Sequence, residues 1–417
     1  MVRGEIMIQK PRGTEDLIDL KAKEYFALEL TIRQIVDTFN YNEIKTPIFE
    51  SLELFKRGVG EETDIVSKEM YTFKDRKDRE LTLRPEGTAP TVRAILENKM
   101  YINENLPLKL FYFGSMFRYE RPQAGRNRQF NQFGIEVFGP KTAEIDSEII
   151  CLSSTILNTI GLDNHTIHIN YLVNGEQRKN YINDLKKYLE PKELCDDCKR
   201  RIDTNPLRVL DCKVDSKKFS DVVDMKDYLS DEDKKYFENL ISNLKNIGIN
   251  PVVDKMLVRG LDYYTGFVYE VKDKKGSTLL GGGRYDELVN QLGNVELPAA
   301  GFGLGMERIL IALQEEEIYI SEPVSLDAYI IGLSEKAKQF ANILMLMLRK
   351  SGLKVDFDFM NRSMKSAFKQ SEKLNSKNII IIGDNELKEN VVVIKNQITK
   401  EEKKVAFEKI VDVIMGE

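Results

Sequence analysis

Histidine is nearly absent from this chain: its 417 residues contain two, His165 and His168. That scarcity excludes a histidine-centred catalytic triad and a multi-histidine metal site before any motif is considered. Cysteine is scarce too. Cys151, Cys195, Cys198 and Cys212 are too few to staple a chain of this length, which fits a reducing cytoplasm. No apolar run reaches the roughly 18 residues of a membrane span, so no membrane association is expected. The first residues, Met1 to Gly13, lack the apolar stretch of a secretory signal. An excess of positive charge is missing as well. With 62 Lys and Arg against 67 Asp and Glu, the net charge is −5, so any RNA-facing surface must be a local patch. There is no Walker loop, so any use of ATP is not of the P-loop type.

What is present is the composition of a globular protein with a substantial core, 42% apolar and 31% charged. The length suits two or three domains. Residues 20–39 read as an amphipathic helix with Phe26, Leu30, Ile35 and Phe39 among its apolar positions. An extended piece bearing Pro47 follows over Ile44–Glu50, suited to an edge or an interface. Further strands are expected at Glu80–Arg84, Leu108–Tyr119 and Gln129–Phe138, then a helix over 143–160. Residues 171–250 are rich in Lys and Asp, hold three of the four cysteines, and read as a mostly helical insertion. A strand returns at Val268–Val271, followed by Gly281–Gly282–Gly283, a helix near 284–292, and a glycine-rich strand Ala300–Gly305 that runs into a helix. After a break near Ser321–Pro323, strand and helix alternate, which predicts a small α/β domain with a slight basic excess.

Four patches carry chemistry. In the stretch from Phe117 to Glu136, a period of two puts Arg118 with Glu120 on one face, and Gln132, Gly134 and Glu136 on one face beyond the loop. A solvated antiparallel pair explains the alternation. It does not explain arginines set beside a glycine gap, which suit phosphate and a flat ligand. The second patch, Leu83–Pro90, reads as a strand–helix turn with Thr88 as N-cap and Pro90 near the first helical position. It places Glu86 and Thr88 where they could grip an ammonium group. The third is Leu257–Gly266, holding Arg259, Tyr263 and Tyr264. The fourth is Gly301–Arg308, a Gly-x-Gly-x-Gly run before a helix. Its spacing and surroundings are not those of a dinucleotide fingerprint.

Together these patches resemble the class II aminoacyl-tRNA synthetases. Phe117–Glu120 is similar to the second class-defining motif, Gly301–Arg308 to the third, and Ile44–Glu50 with its preceding helix to the first. Leu257–Gly266, Gly281–Asp286 and the opening Pro11–Asp16 resemble segments peculiar to the histidyl-tRNA synthetases of bacterial type, and the resemblance covers essentially the whole chain.

The resemblance implies an α+β fold. A catalytic domain over 1–322 would be built on an antiparallel six-stranded sheet flanked by helices, with the insertion at 171–250. An α/β anticodon-binding domain would cover 325–417. It implies ATP, with Mg2+, and L-histidine and tRNA(His) as substrates, and a homodimer through the first motif. It also implies roles. Glu86, Gly87 and Thr88 with Gln132 would hold the α-ammonium of histidine, while Glu136 and Tyr264 would face the imidazole with Tyr263 beside them. Arg118 and Arg259 would contact the α-phosphate and the carboxylate. Arg308, Gly303 and Gly305 would bind ATP, with Glu120 near the adenine. Arg121, Gln123 and Arg126 would approach the tRNA acceptor end.

Many relatives carry Tyr and His where this chain has Asn127 and Asn131. Alternation puts Asn127 opposite Arg126 and Arg128, away from the pocket. Cys195-x-x-Cys198 with Cys212 could supply three zinc ligands, but small buried thiols are common, and no metal is expected there. Two rivals are a synthetase for proline, threonine or glycine, and a scaffold that has lost catalysis. Glu136, Tyr263 and Tyr264 argue against the first, and the intact pocket residues against the second. The alternative function is the regulatory subunit of ATP phosphoribosyltransferase, which typically lacks both the C-terminal domain and the Arg259 motif.

Overall fold

A computed structural model describes residues 8–61, 63–103, 106–321 and 325–415. Contacts divide the chain into two units, Met1–Ser321 and Glu322–Glu417. No helix among the described residues is long and apolar enough to cross a membrane.

The first unit opens with helix α1, Asp19–Thr38, which buries Leu28, Ile32, Ile35 and Val36. Of the apolar positions expected to line it, Phe26 and Leu30 instead point to solvent, 67% and 46% exposed. The expected strand over Ile44–Glu50 is reduced to two short pieces, β1 (Asn42–Glu43) and β2 (Phe49–Ser51). Between them Pro47 has no N–H to offer a ladder, and the carbonyl of Thr46 accepts from the Arg84 guanidinium instead, at 3.0 Å. Next come α2 (Leu52–Val59), β3 (Thr72–Lys74), β4 (Glu80–Leu83), α3 (Thr88–Glu97) and α4 (Met100–Asn103). Strands β2, β4 and β3 form a small antiparallel sheet.

The main sheet is built from β5 (Leu108–Phe117), β6 (Gln129–Phe138), β7 (Thr166–Leu172), β8 (Val252–Val253), β9 (Gly266–Lys272), β10 (Thr278–Arg284) and β11 (Ala299–Gly305), with β1 at one edge. Its order is β1-β5-β6-β11-β10-β9-β7-β8. The six strands from β5 to β7 pair antiparallel throughout, as expected. The two-residue strands β1 and β8 add parallel edges. The triplet Gly281–Gly283 lies within β10, and the helix after it, α10, spans Leu288–Gly293 and begins later than the sequence suggests. Helices α5 (Ala143–Thr159) and α11 (Met306–Glu315) complete this core, and α5 buries Ile149, Ile150, Leu152, Ile156 and Leu157. Between β7 and β8 stand α6 (Gly175–Leu189), α7 (Asp196–Thr204), α8 (Leu207–Leu210) and α9 (Asp231–Asn246). An ion pair buried on both sides ties these layers: Arg284 of β10 meets Asp146 of α5, which also accepts from the Tyr236 hydroxyl of α9 at 2.6 Å.

The second unit alternates as expected: β12 (Ala328–Gly332), α12 (Glu335–Lys350), β13 (Val355–Phe357), α13 (Met364–Lys373) and β14 (Asn378–Ile382). Beyond that, α14 (Asp384–Glu389), β15 (Val391–Asn396), β16 (Glu402–Ala406) and α15 (Ile410–Met415) close it. Its sheet runs β13-β12-β14-β15-β16, parallel across the first three strands and antiparallel across the rest.

Candidate active site

The pocket lies over a part of the main sheet that has no side chains of its own. Gly281 of β10, Gly303 of β11 and Gly134 of β6 stand opposite one another in register, a row of three glycines across three adjacent strands. Long polar side chains fill the trough. A β-carbon at Gly303 would stand 2.4 Å from the Gln132 amide, and one at Gly134 would stand 2.3 Å from the Tyr112 ring. Two residues along β11, on the same face, a β-carbon at Gly301 would stand 2.2 Å from the Glu136 carboxylate. The glycines read from the sequence as room for a base are thus first of all room for the site's own side chains.

At the acidic end, β4 turns into α3. Thr88 is not the N-cap that the sequence suggests. Gly87 occupies that position, and the first turn is capped by Glu86, whose carboxylate accepts from the N–H of Thr88 at 2.7 Å and of Ala89 at 2.8 Å. The Thr88 hydroxyl is thereby free to donate to Glu136 at 2.8 Å. Glu86 is almost wholly buried, and burial pushes its carboxyl up despite the two helix N–H groups. Glu136 lies one layer below the pocket lining. Besides Thr88 it accepts from Tyr112 at 3.3 Å and from the Tyr285 hydroxyl. Burial pushes it up to about 8, against the pull of these hydroxyls. Gln132 lines the pocket, and its Oε1 is buried with no hydrogen-bond partner among the described residues, an acceptor left open. Tyr263 and Tyr264 form the adjoining wall, their ring centroids 4.8 Å apart, with Tyr285 packed edge-on to Tyr263.

At the basic end, four arginines surround the same space. Arg118 donates to the Pro85 carbonyl at 2.8 Å and lies over the Phe130 ring. Arg259 is paired with Glu270, and its guanidinium covers Gly281. Arg308 donates to the Thr278 carbonyl at 3.0 Å, and Arg126 meets Glu120 at 3.2 Å. Burial first, and then the like charges of Arg126 and Arg118, lower the hold of Arg308 on its proton. Positive charge is concentrated here at an electrostatic cost, which an anionic ligand would remove.

The predicted residues therefore divide. Glu86, Thr88, Arg118, Glu120, Arg126, Gln132, Arg259, Tyr263, Tyr264, Gly303, Gly305 and Arg308 all line one pocket. Gly87 lies beside the Tyr112 ring, and Arg121 and Gln123 are exposed on the loop outside it. That loop is not strand. β5 stops at Phe117, and Gln123 and Arg126 close a tight turn through paired backbone bonds, with Gly125 at φ +70°. Alternation lapses there, so Asn127 lines the pocket instead of facing away. Asn131 binds Glu307 at the start of α11.

Sequence reasoning missed Phe130, Tyr112, Tyr285 and Glu270. Phe130 and Tyr285 lie within motifs the sequence marks but carry no role there, while Tyr112 and Glu270 give no local signal. It also missed why Gly13 matters in the opening motif. At φ +84° it accepts the Arg128 N–H at 2.7 Å, and a β-carbon there would strike the Arg128 side chain.

With this geometry in place, comparisons agree. A family model described as "Histidyl-tRNA synthetase" matches residues 13–309, and one described as "Anticodon binding domain" matches 327–417. The chain is 49% identical to the histidine–tRNA ligase of Mesoplasma florum, over 100% of this chain and 92% of that one. It is 45% identical to that of Bacillus subtilis, over 97% of each. Among solved structures, apo histidyl-tRNA synthetase of S. aureus superposes with a TM-score of 0.83 at 37% identity, covering 98% of this chain and 100% of that one.

Proposed function

The chain belongs to the histidyl-tRNA synthetase family, and from that premise we propose how its residues divide the ATP-dependent attachment of histidine to tRNA(His). The ligase activity, and not the ATP phosphoribosyltransferase regulatory role, is what its full-length relatives carry.

Histidine enters with its α-ammonium toward Glu86, Thr88 and the open Oε1 of Gln132. Glu86 keeps a lone pair on each oxygen beyond those given to α3. The imidazole is held between Tyr264 and the Thr88–Glu136 layer, with Tyr263 beside it. Hydroxyls of Tyr285 and Tyr112 hold Glu136 in place, so the carboxyl is fixed before the ligand arrives. A buried site of paired polar groups rejects rings lacking an N–H, by as much as roughly 10⁴–10⁵.

ATP enters as its magnesium complex. Of the pocket carboxylates, Glu120, Glu270 and Glu307 already have protein partners and Glu86 caps α3, so the ion would keep mainly phosphate and water ligands. The purine would stack on Phe130 with Glu120 nearby, and the glycines Gly303 and Gly305 admit the nucleotide close to the sheet. The histidine carboxylate attacks the α-phosphorus in line and pyrophosphate leaves, with Arg118 and Arg259 on the α-phosphoryl oxygens and Arg308 on the γ end. No protein nucleophile takes part. The ribose hydroxyl of the tRNA 3′ end then attacks the adenylate. Arg121 and Gln123, exposed beside the reaction centre, and Arg126 at its edge are suited to that end. The second unit is suited to the anticodon.

Exposed apolar residues on α1 and around β2, namely Phe26, Leu30, Ile48 and Phe49, support a homodimer through the first motif. Four cysteines without a disulfide, together with a role in translation, support a cytoplasmic location.

The observation that carries this reading is the joint lining of one pocket by Glu86 and Gln132 at one end and by Arg118, Arg259 and Arg308 at the other. Amino-acid-dependent ATP–pyrophosphate exchange tests it. Exchange with histidine alone is expected, and exchange with another amino acid, or none, overturns the reading.

A further inference from the structure

Outside the active site, one cluster of side chains has no role in catalysis. Cys195, Cys198, Cys212 and Asp215 converge within the segment between β7 and β8. One donor atom from each lies within 4.8 Å of all the others. We propose that these four residues hold a single structural Zn2+ ion, and that this ion fixes the corner Asp211–Lys213 against the substrate pocket.

The sequence pattern is Cys-x2-Cys-x13-Cys-x2-Asp, two short ligand pairs separated by a longer loop. Short ligand pairs separated by a longer loop are the spacing of structural zinc sites, and a carboxylate oxygen is a donor that Zn2+ accepts in the fourth position. The local structure shapes it. Cys195 stands at the N-terminus of α7 and Cys198 in its first turn. Cys212 follows α8, and Asp215 precedes a single 3-10 turn at Ser216–Lys218. Neither histidine is available as a rival ligand: His165 is bonded to Ser154 and the Leu162 carbonyl, and His168 to Asp254.

Three observations separate a metal site from ordinary packing of thiols. The Sγ atoms of Cys195 and Cys212 are 3.8 Å apart. A tetrahedral ion with Zn–S bonds of about 2.3 Å places its sulfurs about 3.8 Å apart, whereas a disulfide needs about 2.05 Å. The backbone presents N–H groups to the sulfurs, from Cys198 to Cys195 and from Val214 and Asp215 to Cys212, as thiolate ligands require. Asp215 is fully buried among these thiols, whereas the lysine it pairs with, Lys218, is half exposed, so the carboxylate is only partly neutralised from the solvent side. Its oxygens are oriented by the Cys195 N–H at 2.9 Å and the Lys218 ammonium at 2.7 Å, which leaves lone pairs for an ion. On binding, three thiols release three protons. The resulting set of three thiolates and one carboxylate around Zn2+ carries a net charge of −2, which Lys218 partly offsets.

The link to the pocket is covalent and short. Asp211 and Lys213, on either side of the ligand Cys212, both line the active-site pocket. Just upstream, Arg208 donates to the Gly260 carbonyl at 2.8 Å, beside Arg259. The expectation of no metal, drawn from cysteine spacing alone, is revised by this convergence. The metal claim does not depend on the catalytic roles assigned above, because zinc content is read without any activity.

The test is elemental analysis of the purified full-length chain, with Co2+ as an optical probe. One zinc per chain is expected, lost in Cys198→Ser and in Cys212→Ser and retained in Asp215→Cys. Protein stripped under reducing conditions should take up one Co2+, with thiolate charge-transfer and tetrahedral d–d absorption. A wild-type chain with less than a tenth of an equivalent of zinc and no uptake of either ion overturns the site. So does a Cys195–Cys212 disulfide, or unchanged zinc in both serine variants. For the corner, hydrogen exchange over residues 207–218 should speed at least about tenfold when the metal is removed and recover on its return. Unchanged exchange in fully stripped protein overturns the coupling.

Discussion

Arg259 occupies the space that a side chain at Gly281 would need: a β-carbon built there stands 2.3 Å from the guanidinium. Gly281→Ala should therefore dislodge Arg259 and behave as Arg259→Ala does. Each should cut adenylate formation at least about 100-fold while histidine binding partly survives. The double variant should be little worse than either single one, since both remove the same contact. Pyrophosphate exchange near the wild-type rate in Arg259→Ala would sink the assignment.

The pH dependence of stability should reveal Glu136. Its carboxyl titrates near about 4.3 when unfolded and is pushed up to about 8 in the fold. A raised value means that the folded state binds the extra proton. Stability from this group is full below about 4.3 and is lost as pH rises toward about 8. In Glu136→Gln that loss is absent. The melting temperature of the variant should gain on wild type steadily between about pH 5 and pH 8, and a constant gap would refute the buried, proton-holding Glu136.

Arg308→Gln should raise the KM for ATP roughly tenfold to a hundredfold, the worth of a charge-assisted hydrogen bond. Its melting temperature should change little, because relief from Arg126 and Arg118 offsets the lost carbonyl bonds. Calorimetric titration with ATP and a thermal melt check the two halves separately.

Asp146 and Arg284 are both almost fully buried and satisfy each other. Asp146→Ala leaves the buried Arg284 with only the less buried Asp286 as counter-charge, at 3.0 Å, and should cost up to about 3–5 kcal/mol in urea unfolding. Asp146→Leu combined with Arg284→Met should recover most of that loss. Failure to recover would mean that the pair does more than neutralise itself.

Phe26→Glu with Leu30→Glu places two charges on the exposed apolar face of α1. Sedimentation should show wild type as a dimer and the double variant as a monomer. A wild-type monomer would remove the first-motif interface from the proposal.

The sheet and the pocket were legible in the sequence wherever a regular period held. Alternation along β6 correctly grouped Gln132, Gly134 and Glu136, and the Gly-x-Gly-x-Gly run correctly marked a strand leading into a helix. Reading failed where the period stopped. Past Phe117 the chain turns, so Asn127 came out on the wrong side. At Glu86 the carboxylate caps the helix from within the loop, a task that local propensity assigns to Thr88. Tyr112 is 24 residues from Glu136 and comes to it across paired strands, while Glu270 meets Arg259 only because the loop before β9 folds back over the sheet. The metal cluster was half visible: spacing showed the three cysteines, but Asp215 is one acid among many until the fold buries it.

The glycine row across β10, β11 and β6 bears on how this site can change over time. Each vacant position is matched to one long side chain from elsewhere: 281 to Arg259, 303 to Gln132, 134 to Tyr112. Enlarging a glycine displaces its occupant unless that occupant shrinks, and shrinking an occupant alone removes a substrate contact at Arg259 or Gln132 and a support of Glu136 at Tyr112. The positions can therefore be exchanged only in pairs, through intermediates that work poorly. Gradual drift toward another amino acid is obstructed by the backbone as well as by the contacts to histidine.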